Sequence, residues 1–259
     1  MSLLAVQGGA TGTGTVTLLA PVTNTNRTLT LPDETGTLIT AASNTYIGGR
    51  GQVFTTTGDF TVPAGITAVK VTVIGGGGNG ASVTTTGLEG GGGGAGGTAI
   101  EFITGLTPGD LITVTVGAVA NTSSFGAFCS ATGGASVSLN GTAGGAGGVG
   151  SGGDINLTGG AGGTGSGNNV GGGGGGGTLS AATPGFGFTI TCNDYVGSIS
   201  LGGVGMFGAG GNGRAITSSG GFNGIAATGF GNGGSGGATG GTADATGGAG
   251  SAGIVIVEF

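Results

Sequence analysis

Histidine and tryptophan are absent from this chain, and only 5% of its residues are charged, against about 25% in an ordinary soluble domain. Losing histidine removes the commonest general base and the commonest metal ligand. The two cysteines, Cys129 and Cys192, are too few and too far apart in sequence for a zinc site. They read as two small buried hydrophobes, with a disulfide between them left open. The four bases, Arg27, Arg50, Lys70 and Arg214, form no cluster, so nucleic acid and anionic lipid are poor partners. No apolar run approaches the roughly 18 residues of a membrane helix, and no membrane insertion is expected. Charge excess cannot be a cause of disorder here either.

Motifs for chemistry are equally scarce. Gly-x-Gly-x-x-Gly matches arise by chance in a chain this rich in glycine, and no helix pattern follows any of them. No Gly-Lys pair exists for a phosphate-binding loop. Asp154 after Gly152-Gly153 is a lone partial match to a calcium-binding repeat that needs one aspartate per repeat. Asp33-Glu34 reads as an exposed turn rather than as a hydrolase carboxylate pair. The expectation is therefore a protein with no catalytic residue, no metal and no cofactor.

What is present is glycine: 75 of 259 residues, about fourfold above ordinary usage. It is concentrated in tracts at 75–80, 90–97, 144–153, 159–167, 171–177, 208–213, 231–241 and 247–253. Several keep a three-residue beat, with Ala146 and Val149, Ala161 and Thr164, and Ser235 and Ala238 each following a Gly-Gly pair. Three residues per turn is the period of the polyproline-II helix, which has no internal hydrogen bonds. Packed side by side, such helices bond one another, and only glycine lets them approach closely. Collagen needs at least about 15% proline and an unbroken repeat; five prolines exclude it. A flexible Gly/Ser linker is at odds with regular tract spacing and a β-branched strand at each end.

Strand signals frame the tracts. Residues 52–57 and 59–63 flank a turn at Gly58, 68–74 is a β-branched run, and 99–103 and 110–116 are joined by the turn Leu106-Thr107-Pro108-Gly109. The last seven residues form a buried strand expected beside 68–74. Residues 1–47 alternate threonine and leucine in short half-buried strands, too few for a core of their own. The fold expected is all-β with polyglycine-II-type coils and little or no α-helix. A β-rich shaft spans 1–47 and a glycine-rich domain spans 48–259. In the latter, 48–120 and 253–259 supply the sheet framework and 75–253 the tracts and loops.

Most aromatics fall in loops between tracts, at 121–132, 178–207 and 214–230. Rings on a rigid scaffold give contact area at low entropic cost. Phe186, Phe188, Asp194, Tyr195, Phe207, Arg214, Phe222, Asn223 and Phe230 are the expected receptor-binding residues. The competing reading is that the rings plug the ends of the bundle as satellite cores.

The segment Thr15-Val16-Thr17-Leu18-Leu19-Ala20-Pro21, followed by Asn26-Arg27-Thr28-Leu29-Thr30-Leu31-Pro32-Asp33-Glu34-Thr35-Gly36-Thr37-Leu38, resembles the short repeat of phage tail-fibre proteins. Phe60-Thr61-Val62-Pro63-Ala64-Gly65, the run into Gly75, Leu106-Thr107-Pro108-Gly109 and the terminal strand are similar to the glycine-rich domain of phage fibre adhesins. That resemblance implies a trimeric shaft, a virion location and attachment to an outer-membrane protein or glycan on the host. It also implies contacts with other tail-fibre or baseplate proteins. The N-terminus lacks a basic region and a long enough apolar stretch for a signal peptide, which fits synthesis in the host cytoplasm and release by lysis. A glycine-rich structural or ice-binding protein is the alternative.

Overall fold

The computed structural model describes residues 51–165, 204–205, 208–213, 221–240 and 244–259. The expected shaft at 1–47 lies outside the described residues. Among the described residues there is no helix. In chain order the strands are β1 Gly51–Phe54, β2 Gly58–Thr61, β3 Ala68–Ile74, β4 Thr98–Thr104 and β5 Leu111–Thr115. Next come β6 Ser123–Phe125, β7 Cys129–Ala131, β8 Gly150–Ser151 and β9 Ile155–Leu157. The remainder are β10 Val204–Gly205, β11 Gly208–Ala209, β12 Gly221–Phe222, β13 Ala238–Thr239 and β14 Ile254–Glu258.

Two antiparallel sheets, ordered β1-β14-β3-β4-β9 and β2-β5-β6-β7-β8, pack face to face. The terminal strand pairs with β3 as expected, Ile254 opposite Ile74 and Val257 opposite Val71. Alternation places Val69, Val71 and Val73 of β3 in the core with Ile112 and Val114 of β5, while Leu111, Thr113 and Thr115 face out. Phe60 and Phe125 meet at 5.7 Å between ring centres, tilted at 52°, a favourable aromatic geometry. One expectation is corrected here. Gly58 does not close a hairpin: it opens β2, and β1 and β2 lie in different sheets, paired with β14 and β5. Residues 55–57 carry the chain across the sandwich so that Phe54 and Phe60 both reach the core.

Glycine tracts run straight out of these strands. Tract I (75–83) continues β3, tract II (89–97) leads into β4, and tract III (132–137) continues β7. Tract IV (141–149) leads into β8, tract V (158–165) continues β9, and tract IX (245–253) leads into β14. Tracts VI (208–213), VII (223–229) and VIII (231–237) complete the described bundle.

The hydrogen bonds of tract II establish its geometry. Gly90, Gly93 and Gly96 donate to carbonyls of tract VIII (Gly237, Gly234, Gly231). Gly94 and Gly97 donate to Ala135 and Thr132 of tract III, while Gly92 and Ala95 donate to Gly163 and Gly160 of tract V. Its own carbonyls accept from Gly75, Gly78 and Ala81 of tract I and from Gly145 and Gly148 of tract IV. Successive N–H groups thus address three neighbours in turn and return every third residue. That is the polyglycine-II helix, with all bonds between helices. Partner numbers fall along tract VIII and rise along tract IV as tract II advances, so antiparallel and parallel neighbours coexist. Residues 89–99 are all buried.

Close approach explains the composition. A methyl group added to Gly93 would lie less than 3.0 Å from the carbonyl oxygen of Gly78, and one on Gly236 less than 3.0 Å from that of Gly90. On the outer tract IV, by contrast, Ala143, Ala146 and Val149 are exposed while Gly145 and Gly148 between them are buried. Side chains occupy the direction that faces water, and glycine occupies the others.

Candidate functional site

The sandwich holds one end of the bundle, and the turns between tracts I and II and between tracts III and IV lie at the other. Residues 84–88 join tracts I and II there, 138–140 join tracts III and IV, and tract V reaches it at Gly165. Tract VI also reaches this end at Gly213, since it runs antiparallel to tract VII, with Ala209 beside Thr228 and Gly211 beside Ile225. β12 and β13 pair at this far end, Gly221 opposite Thr239, where Thr239 donates its N–H to the Leu88 carbonyl.

Side chains at this tip form a hydrogen-bonded rim. The Thr84 N–H donates to Asn140 Oδ1 at 2.8 Å, and Asn140 Nδ2 donates to Thr84 Oγ1 at 3.1 Å. Asn140 sits at a φ of 58°, which asparagine tolerates better than most residues. Leu139 beside it is 61% exposed. The Thr239 hydroxyl donates to the Thr85 carbonyl, and the Thr246 N–H donates to Asn223 Oδ1 at 2.9 Å. Glu89 is buried beneath the rim, and Asp244 is exposed on it. Amides, hydroxyls and one exposed leucine suit recognition by hydrogen bonds and apolar contact. Among the described residues no group of three or more His, Cys, Asp or Glu side chains is placed to hold a metal ion.

Of the residues expected to bind a receptor, Phe222 and Asn223 lie at this tip, Phe222 half-buried in β12 and Asn223 exposed. Phe230 is at the opposite end, half-buried in the turn between tracts VII and VIII. Gly229 and Gly231, at φ of 70° and 71°, make that turn tight. A polyproline-type rise over 222–230 separates the two rings by roughly 25 Å, so they do not form one site. Phe186, Phe188, Asp194, Tyr195, Phe207 and Arg214 lie outside the described residues. The segment 214–230, read as a loop, contains tract VII, whose Gly224 and Ala227 donate to Thr246 and Ala249 of tract IX. Residues 121–132 are likewise mostly the β6–β7 hairpin: Phe125 and Cys129 are core, and Phe128 is half-exposed. The Asn140-Gly141 step was the available signal for the rim.

Cys129 is a buried free thiol. Burial, with the Glu101 carboxylate adding to it, pushes the thiol up from 9.0 to about 11. Its neutral form is thus favoured by folding, so its contribution to stability is complete below about pH 9 and is lost as pH rises through about 11. In a Cys192→Ser variant, a thiol reagent at pH 8 should label Cys129 only after denaturant is added. Rapid labelling of the folded protein would contradict its placement.

The architecture defines an all-β protein whose glycine helices are clamped at one end by a small sandwich. The chain belongs to the glycine-rich domain family, matching it over residues 54–259. Comparison with curated proteins finds no match.

Proposed function

We propose that this protein is a phage tail-fibre adhesin, incorporated in the virion, that attaches to a receptor on the host surface through the tip of its glycine bundle. The observation that carries the reading is the meeting of the I–II and III–IV turns and of the β12–β13 pair at one end, opposite the sandwich. Such turns change side chains without disturbing the inter-helix bonds, as a recognition surface requires. The likeness of residues 15–38 to tail-fibre repeats adds a trimeric shaft and a place among other fibre or baseplate proteins. The receptor is an outer-membrane protein or a surface glycan, met by Asn223, Asn140, Leu139 and Phe222 and by the chain between tracts V and VI and between VI and VII.

The test exchanges residues 178–203 and 214–220 for short Gly-Ser connections and leaves tract VII in place. Labelled full-length protein should bind susceptible bacterial cells, and the exchanged protein should bind at least about tenfold more weakly with its unfolding midpoint unchanged. Equal binding by the exchanged protein would sink the reading. Light scattering should give the mass of three chains.

A further inference from the structure

Tract I lies open to solvent on its outer side between tracts III and IX. There a groove of about 380 Å³ is lined by Asn79, Ser82, Ser136, Val137, Leu139 and Ala249. In a bundle of hexagonally packed glycine helices this is a helix position that none of the described residues fills. Nearer the sandwich the chain itself fills the same channel. At the level of residues 76–77, the Gly76 N–H donates to the Asn121 carbonyl and the Ala120 N–H donates to the Gly77 carbonyl, both at 2.9 Å. The segment 118–121 thus occupies the position that no described residue fills three residues further along tract I.

Where main chain is missing, side chains take over its acceptor role. The Asn79 N–H donates to Ser136 Oγ at 2.9 Å, the Gly250 N–H to Asn79 Oδ1 at 2.9 Å, and the Gly247 N–H to Ser82 Oγ at 3.0 Å. Each of these side chains has an acceptor engaged by the bundle, which leaves the Asn79 Nδ2 hydrogens and the Ser82 and Ser136 hydroxyl hydrogens to donate outward. Asn79 and Ser82 stand three residues apart, about 9 Å along the helix axis. An extended strand with three residues per turn repeats its carbonyls at that same spacing. Proline is suited to a floor of donors because it offers a carbonyl and no N–H, and Val137, Leu139 and Ala249 flank the floor with apolar surface.

We propose that this groove binds a proline-rich peptide segment in the polyproline-II conformation, laid along tract I with its carbonyls on Asn79, Ser82 and Ser136. The groove borders the rim of turns and shares Leu139 with it, and the proposal stands whether or not the protein is an adhesin. No charged side chain lines it, so binding should be insensitive to salt.

The test is fluorescence anisotropy of a labelled decaproline peptide titrated with the full-length protein. Saturable binding is expected, unchanged when salt is raised. Ala249→Tyr fills the groove from an exposed position and should weaken binding by about tenfold or more; Ala143→Tyr, exposed on tract IV, should leave it unaltered. Circular dichroism and the unfolding midpoint check that both variants fold. The proposal is overturned by absence of saturable binding, by equal binding to the Ala249→Tyr protein, or by equal affinity for a Gly-Ser peptide of the same length. Displacement of the peptide by a neutral oligosaccharide would likewise overturn it.

Discussion

Gly93→Ala should destabilise the whole domain by about 3 kcal/mol or more, an effect ordinarily reserved for gross overpacking of a core. The added methyl would press on the Gly78 carbonyl oxygen. That oxygen belongs to a main chain held on both sides, since Gly78 donates to Gly94 and accepts from Gly234. Neither tract can give without lengthening bonds to its other neighbours, because each N–H addresses a different helix. Ala146→Ser, on the exposed side of tract IV, should change stability by no more than about 0.5 kcal/mol. Chemical denaturation of the two variants beside the parent measures both. Equal midpoints for all three would mean that the tracts are not packed against one another.

Phe60→Ala should cost about 3–5 kcal/mol and should melt the glycine bundle together with the sandwich. Phe60 is fully buried and touches both Phe125 and Phe259 at 5.7 Å between ring centres. The bundle has little apolar surface to bury, and ordering glycine is costly, at the high end of about 1–2 kcal/mol per residue. Hydrogen bonds worth about 1 kcal/mol net each offset that cost only if the tract ends are already held in register. Six of the tracts are extensions of sandwich strands, β3, β4, β7, β8, β9 and β14, so the sandwich supplies that register. Calorimetry should show one transition in both proteins, shifted down in Phe60→Ala. Two transitions, with only one displaced, would show that the bundle stands without the sandwich.

The framework was legible from residues because β-branched runs have few alternatives. The run at 68–74 and the terminal strand appear where expected, and they pair. Glycine tracts were legible wherever a helix is surrounded, since every direction then demands the smallest residue. The sequence does not mark tracts III and VII, because they lie at the surface and need glycine only where they touch neighbours, at Gly133, Gly134 and Gly224. Thr132, Ala135 and Ser136 of tract III and Ile225 and Ala226 of tract VII face outward, and their side chains hide the beat. The Gly58 turn failed for a different reason: two adjacent strands joined by a short link are as compatible with a sheet-to-sheet crossing as with a hairpin. The tip rim uses Thr84, Asn140 and Thr239, residue types so common in this chain that only their meeting in space distinguishes them. Phe222 and Phe230 looked like neighbours in sequence, and an extended helix between them places them at opposite ends.

Native-state hydrogen exchange of glycine amides, followed by NMR on protein labelled at glycine, tests the hydrogen-bonded bundle most directly. Each amide of Gly90–Gly97 donates to a neighbouring tract, so these should exchange as slowly as those of β3 and β4, close to the rate set by global unfolding. Exchange of the tract II amides at rates typical of exposed chain, with β3 and β4 protected, would contradict the bundle outright.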